Sequence, residues 1–136
     1  MITRPEPTFS VDGREQMSTS DQLRQSIEDL NRRDFAAAGK DFADNIRFHA
    51  PGLGLDVEGR DTMLEHISEF VEQADVHYEV AQVVEHGPFV VAFARSTGNL
   101  EGQQMGWDLC EVLRYEGDQV AEVWVVRGGP PQPTSG

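Results

Sequence analysis

The stretch Met105-Gly106-Trp107-Asp108-Leu109-Cys110-Glu111-Val112-Leu113-Arg114-Tyr115 is rich in apolar, aromatic and β-branched residues. This composition predicts a β-strand. Side chains two positions apart on a strand share one face of the sheet. One face of this strand therefore carries Trp107, Leu109, Glu111, Leu113 and Tyr115. Glu111 is a single acid in an otherwise apolar row.

Glu111 is a candidate catalytic acid or base. Burying a carboxylate costs several kcal/mol unless it is protonated, paired or hydrogen-bonded. Acids whose pKa is raised in this way are the groups that proton-transfer chemistry uses. Two other interpretations remain open, because the residue could lie on an exposed or edge face of the strand, or form a structural salt bridge with an arginine.

Length and charge exclude several classes of protein. The chain has 136 residues, which is the size of a single domain with one core or a modest cavity. Its net charge of −13 should repel phosphate backbones and anionic membrane surfaces, so we expect neither nucleic acid nor a membrane as a partner. The single cysteine, Cys110, cannot form an internal disulfide, and the N-terminus lacks the apolar run of a signal peptide. We therefore expect a cytoplasmic protein.

Composition divides the chain into a domain and two tails. Residues 1–17 and 128–136 are rich in Pro, Gly and Ser without apolar periodicity, so we expect flexible tails on either side of a domain at 18–127. The second tail should be unable to join a strand ladder. Ser18 and Asp21 have capping-box spacing before the apolar stripe of a first helix, and Asp34 can cap a short second helix.

The rest of the chain predicts one more helix and several strands. A short strand is expected at 45–50, a glycine-rich loop at 52–59, and a third helix capped by Asp61. Four antiparallel strands follow, at 76–85, 89–97, 105–115 and 120–126. Helices first and strands afterwards give an α+β fold, with three N-terminal helices packed on one face of a curved, mostly antiparallel sheet.

Two strands are apolar on both faces, namely 90–94 and 123–126. A sheet with helices on one side needs only one apolar face, so the outer face should also be covered. A second copy of the chain is the simplest cover. We therefore expect a homodimer formed through the outer face of the sheet.

The order of these elements and their sequence motifs resemble those of the nuclear-transport-factor-2-like superfamily, and within it the SnoaL-like polyketide cyclase and ketosteroid isomerase group. The resemblance spans roughly residues 20 to 127. It rests on Leu30-Asn31-Arg32-Arg33-Asp34-Phe35, Phe42-Ala43-Asp44, Phe48-His49-Ala50-Pro51-Gly52, Gly59-Arg60-Asp61, and the hairpin from Leu113 to Trp124. It implies a conical fold that encloses an apolar pocket for a flat or cyclic small molecule, entered near the loop after the first strand.

The same resemblance implies that most of the usual catalytic residues are replaced. The general base, the tyrosine and the neutral acid of the isomerases fall on Ala50, Ser26 and Glu111. The polar pair that the cyclases place on the last strand falls on Val123 and Val125. Because alanine and valine cannot transfer protons, Glu111 is the one family position that keeps its chemistry.

Four other ionisable residues are candidates for the site. His66 borders the apolar stripe of the third helix and could pair with Glu111, or it could face solvent. His49 alternates with Phe48 and Ala50, which favours a structural role. Asp56 in the entry loop could reach a ligand or be solvated. Arg127 could pair with Glu111, hold an anionic ligand group, or lie at a frayed strand end. The expected pocket lining comprises Ser26, Phe48, Ala50, Asp56, Met63, Trp107, Leu109, Val123, Val125 and Arg127.

The leading hypothesis is a cofactor-independent enzyme that performs proton transfer, as an isomerase, cyclase or hydratase, on a small hydrophobic or cyclic molecule. The alternative is a non-catalytic binding or dimerisation module on the same fold, which the replaced family residues favour. We expect no metal site, because the four histidines show no two-ligand spacing and cysteine ligands are absent.

Overall fold

A computed structural model describes residues 17–134. Its three helices are α1 (Thr19–Asn31), α2 (Phe35–Ala38) and α3 (Arg60–Gln73). Its strands are β1 (Phe42–Ala50), β2 (Leu55–Glu58), β3 (His77–His86), β4 (Phe89–Leu100), β5 (Gln103–Glu116), β6 (Gln119–Arg127) and β7 (Gln132–Pro133), with a 3-10 turn at Pro51–Leu53. Most of the predicted N-terminal tail, residues 1–16, lies outside the described residues.

One sheet carries the whole fold, with strands in the order β2-β1-β6-β5-β4-β3. All neighbouring pairs are antiparallel except β1 and β6, which run parallel. Register shifts interrupt the ladders within β1, β3 and β5, and such irregularities bend strands. The predicted α+β fold with a curved, mostly antiparallel sheet is confirmed.

The helix starts follow the predicted caps at two of three places. The Ser18 hydroxyl accepts a hydrogen bond from the Asp21 amide, and the Asp34 carboxylate accepts one from the Ala37 amide. The prediction that Asp61 caps the third helix is wrong. The N-cap is Gly59, whose φ of 105° suits glycine and strains residues that carry a Cβ.

The expectation of an irregular loop at 52–59 is wrong in its second half. Leu55–Glu58 forms β2, which pairs antiparallel with β1 from Ala50↔Leu55 to Arg47↔Glu58. The glycines of this stretch, Gly52, Gly54 and Gly59, all lie outside the strand. They form the reversal before it and the helix start after it, so they leave the ladder intact.

The expectation that the segment after residue 127 cannot join a ladder is also wrong. In β7, Gln132 pairs with Gly106 and Pro133 pairs with Met105. The pairing is available because β5 extends past the end of β6, whose last partner on β5 is Leu109. The end of the described chain therefore continues the sheet beside β5.

The helices cover the inner face of the sheet. Leu23 and Ile27 of α1 and Met63 of α3 are buried against inner-face residues of the strands. Asn31, at the end of α1, accepts a hydrogen bond from the Tyr78 amide and donates one to the Tyr78 carbonyl, each 2.8 Å long. This amide clamp fixes α1 to β3. Within residues 17–134, no helix is long and apolar enough to cross a membrane.

Candidate functional site

A cavity of about 200 Å³ lies between the inner face of the sheet and the helices. Its wall is largely apolar and includes aromatic side chains from several elements, namely Phe42, Phe48, Phe70, Tyr78 and Trp107. The 3-10 turn after β1 contributes Gly52 and Leu53, and Leu53 remains 48% exposed. The mouth of the cavity therefore lies beside this turn.

Inner-face residues from three ladder pairs between β5 and β6 form one wall of the cavity, and the deepest pair contributes Val123 alone. From the deepest pair towards the mouth, they are Leu113↔Val123, Glu111↔Val125 and Leu109↔Arg127. Every second residue of each strand points inward, as the alternation in the sequence predicted. Glu111 therefore lies at mid-depth, between an apolar pair below it and an arginine above it.

Glu111 is a partly buried carboxylate on the cavity wall. No side chain in residues 17–134 forms a hydrogen bond or ion pair with it, so the salt-bridge interpretation finds no partner there. Burial away from water raises its pKa from 4.5 to about 7. The acid is therefore present in both protonation states near neutral pH.

Tyr78 is a second ionisable residue of the cavity, and sequence reasoning missed it. Burial raises the pKa of its phenol above the usual range, and the negative charge of Glu111 raises it further. Tyr78 therefore stays protonated and can donate a hydrogen bond. The signal in the sequence was the alternation of Val76, Tyr78 and Val80, which places the tyrosine on the inner face of β3.

The structure brings His66 to the cavity but does not pair it with Glu111. Its ring is half-buried on the wall that α3 provides, and it forms no hydrogen bond with Glu111. Ser26 also lines the cavity, but its hydroxyl donates a 2.6 Å hydrogen bond to the Ala38 carbonyl. Glu111, Tyr78 and His66 are thus the acid–base side chains of the cavity wall that form no side-chain hydrogen bond within residues 17–134.

Of the remaining predicted lining residues, all but Asp56 line the cavity. The cavity wall includes Phe48, Ala50, Met63, Trp107, Leu109, Val123, Val125 and Arg127. Asp56 does not line it, and that expectation is corrected. Its exposed carboxylate lies 3.1 Å from His49 Nδ1 instead. β2 is a strand, so Asp56 follows His49 to the outer face while Leu55 points into the cavity.

His49 belongs to a polar cluster on the outer face. Its Nε2 lies 2.7 Å from the Glu122 carboxylate, and its ring stacks on Trp124 with centroids 5.6 Å apart. Arg114 contacts the other oxygen of Glu122 at 3.3 Å. The hydrogen bond from His49 lowers the pKa of Glu122. His49 therefore lies away from the cavity, in agreement with the structural interpretation.

Nothing in the described chain is arranged as a metal centre, since residues 17–134 contain no group of three or more His, Cys, Asp or Glu side chains that could hold an ion.

Comparison with known proteins agrees with this architecture. The family model of the SnoaL-like domain matches residues 23–123. The chain belongs to the SnoaL-like domain family. The matched residues run from the apolar stripe of α1 to the middle of β6, so they include α2, α3 and β5, and they end at Val123, before Val125 and Arg127 of the cavity wall. No curated protein gives a significant match.

Solved structures show the same fold at low sequence identity. A nuclear-transport-factor-2-like protein from Burkholderia pseudomallei is 21% identical, with a TM-score of 0.74 over 82% of this chain and 92% of that one. Another from Cytophaga hutchinsonii is 22% identical, with a TM-score of 0.66 over 82% and 91%. A protein with a ketosteroid isomerase-like fold from Catenulispora acidiphila is 16% identical, with a TM-score of 0.71 over 80% and 86%. The SnoaL-like domain therefore has the nuclear-transport-factor-2-like, ketosteroid isomerase-like fold.

Proposed function

We propose that this SnoaL-like domain is a cofactor-independent enzyme that moves a proton on a small hydrophobic or cyclic molecule bound in the cavity. The observation that supports it is Glu111, an acid in an apolar wall that has no partner in residues 17–134 and has a pKa of about 7. A general acid or base works best when its pKa lies near the working pH. Glu111 can therefore accept a proton from one carbon of the ligand and return it to another.

Tyr78 supplies the second requirement of such a reaction. Removing a proton next to a carbonyl places negative charge on the carbonyl oxygen, and a hydrogen-bond donor in a water-poor site stabilises that charge. The protonated phenol of Tyr78 is such a donor on the same cavity wall. His66 can offer a second donor from α3. Glu111 then acts as the base, and Tyr78 holds the oxygen.

An enolisable two-ring ketone, 2-tetralone, is a suitable probe for this chemistry. We expect the protein to accelerate the exchange of its α-hydrogens in D₂O, followed by NMR against buffer of the same pH. Because removal of a general base costs about 10²–10⁴-fold in rate, Glu111→Gln should lose most of the acceleration. The rate should rise with pH through a midpoint near 7, where Glu111 ionises.

Glu122→Gln is the matched control, since it removes the same charge from the outer face of the sheet. It should leave the exchange rate within about twofold, as expected for a residue outside the cavity. If 2-tetralone binds but exchanges no faster than in buffer, the enzyme proposal fails and the non-catalytic binding module stands. Equal rates for the wild type and Glu111→Gln would remove Glu111 from the mechanism.

We also propose that the outer face of the sheet pairs with a second copy of the chain. Its centre is an apolar patch in two rows across β4, β5 and β6: Val91, Val112 and Trp124, then Phe93, Cys110 and Val126. Phe93 and Val126 are 43% and 53% exposed, which is unusual for large apolar side chains grouped together. We call these six residues the outer patch.

The charges around the outer patch support a second copy as the occupant. The net charge of −13 would keep two copies apart if acids surrounded the contact. Instead, two acids of β5 and β6 beside the outer patch are paired, Asp108 with Arg95 at 3.1 Å and Glu122 with Arg114 and His49. Two such faces can meet about a twofold axis without bringing unpaired acids of these two strands together.

A further inference from the structure

Arg127 is the single lysine or arginine among the described residues that line the cavity. Five other arginines form ion pairs with Asp or Glu, namely Arg32, Arg33, Arg60, Arg95 and Arg114. Arg127 forms no ion pair with any residue in 17–134. A guanidinium that borders an apolar cavity therefore has its hydrogen-bond donors available for a ligand.

The position of Arg127 is fixed by the strands around it. Its backbone pairs with Leu109, and the amide of the next residue, Gly128, donates a 2.7 Å hydrogen bond to the Asp108 carbonyl. The β7 pairing follows within a few residues. Arg127 is thus the last residue of an anchored strand, and the interpretation as a frayed strand end does not hold.

Arg127 and Glu111 are diagonal neighbours on the cavity wall. Glu111 pairs with Val125, and Arg127 lies two residues further along β6 towards the mouth. Diagonal neighbours in an antiparallel pair are about 7–8 Å apart at the backbone. A ligand can therefore contact both side chains, with one end at the mouth and the adjoining atoms beside the acid.

The cavity limits the size of the apolar part of the ligand. An apolar cavity of about 150 Å³ holds a benzene molecule. The cavity described here has about 200 Å³ and a wall rich in aromatic side chains. One ring or two fused rings fit that space, whereas a body of four fused rings requires more.

We propose that the ligand is an organic carboxylate with an apolar body of one or two rings, whose carboxylate binds Arg127 at the mouth. Arginine binds carboxylates through two parallel hydrogen bonds, which fixes the orientation of the molecule. The ring then lies beneath the helices, and the atoms next to the carboxylate lie beside Glu111. This inference rests on the proposed function, because it assigns the ligand class of the same cavity.

Two probes that differ in one group test the inference. Calorimetric titration would compare 2-naphthaleneacetate with its neutral counterpart, 2-(2-naphthyl)ethanol. We expect the wild type to bind the carboxylate at least tenfold more tightly. Arg127→Gln should weaken binding of the carboxylate at least tenfold and change binding of the alcohol less than twofold. Arg127→Lys keeps the charge but not the two parallel donors, so its affinity for the carboxylate should lie between those of the wild type and Arg127→Gln.

Arg24→Gln is the matched control, because Arg24 is exposed on α1 and the same charge is lost away from the cavity. It should change neither affinity more than twofold. Equal binding of the two probes to the wild type, or equal losses in Arg127→Gln, would overturn the carboxylate inference and leave the proposed function standing. Failure of both probes to bind would overturn both proposals.

Discussion

A carboxylate on the inner face of the sheet and one on the outer face have opposite pKa shifts. On the inner face, Glu111 has no partner in the described chain, and burial raises its pKa to about 7. On the outer face, Glu122 contacts His49 and Arg114, and the hydrogen bond from His49 lowers its pKa. Glu111 and Glu122 lie on adjacent strands of the same sheet, β5 and β6. The difference shows that burial without a partner raises the pKa of an acid towards the range that proton transfer uses, whereas hydrogen bonds from partners lower it.

The largest expected effect concerns the outer face. Phe93→Arg places a charge within the outer patch, and burying that charge against a second copy is costly. We expect self-association to weaken by about a hundredfold or more, measured by sedimentation velocity over a range of concentrations. Circular dichroism should show an unchanged fold, because the side chain is exposed in the single chain.

Thr62→Arg on the exposed side of α3 is the control for Phe93→Arg, since it adds the same charge away from the sheet. It should leave self-association unchanged. A wild type that stays monomeric at high concentration would show that the outer patch does not pair two copies. The outer face would then need another explanation for its apolar centre.

The next effect is the pH dependence that Glu111 gives to stability. The folded pKa of about 7 lies above the ordinary value of 4.5, so between these pH values the folded protein keeps a proton that the unfolded chain releases. Stability therefore falls as pH rises through this window. The pKa difference corresponds to at most about 3 kcal/mol above pH 7.

Glu111→Gln should remove this pH dependence. Urea unfolding of the wild type and the variant at pH 4.5 and pH 8 measures it. The difference in free energy of unfolding between variant and wild type should move in favour of the variant by up to about 3 kcal/mol between the two pH values. The comparison across pH cancels any constant effect of the amide. A difference that does not change with pH would mean that Glu111 has an ordinary pKa.

A smaller effect should follow from loosening the helix that covers the inner face. Asn31→Ala removes both hydrogen bonds to the Tyr78 backbone and leaves a partly buried amide and carbonyl without these partners. We expect a loss of about 2 kcal/mol in the free energy of unfolding. Asn45→Ala, at an exposed position of β1, is the control and should stay within about 0.5 kcal/mol. Equal losses in the two variants would show that the amide clamp does not hold α1 on the sheet.

Much of this architecture was predictable because apolar periodicity reports which face of an element is buried. The alternation in the β5 segment placed Glu111 on the same face as Trp107 and Leu109, and in the structure that face lines the cavity. The capping side chains Ser18 and Asp34 were also correct. These features depend on residues close together in the chain, which a single sequence contains.

The errors came from pairings between distant segments. β2 has few residues and a glycine-rich surrounding, so only its partner β1 makes it a strand. β7 exists because β5 extends past β6, which no local pattern shows. Tyr78 was missed because a phenol is uncharged at neutral pH, and only the cavity around it makes it a candidate hydrogen-bond donor. Asp56 was assigned to the cavity because its strand was taken for a loop.

The smallest expected effect concerns Glu122, the paired acid of the outer face. The lowered pKa of Glu122 means that its pairing stabilises the folded state above the ordinary pKa of 4.5, and that this contribution is lost as pH falls through the folded pKa. Because the side chain is partly exposed, we expect Glu122→Gln to cost under about 1 kcal/mol at pH 7. Urea unfolding at pH 5 and pH 8 should give a small loss at both values, smaller at pH 8, because Glu122 is ionised throughout that range but its contact with His49 is an ion pair only while the histidine is protonated. Glu111→Gln should instead gain up to about 3 kcal/mol relative to the wild type between pH 4.5 and pH 8. A Glu122→Gln variant that gained as much as pH rose would mean that the outer acid is also buried without effective partners, and the contrast between the two faces would fail.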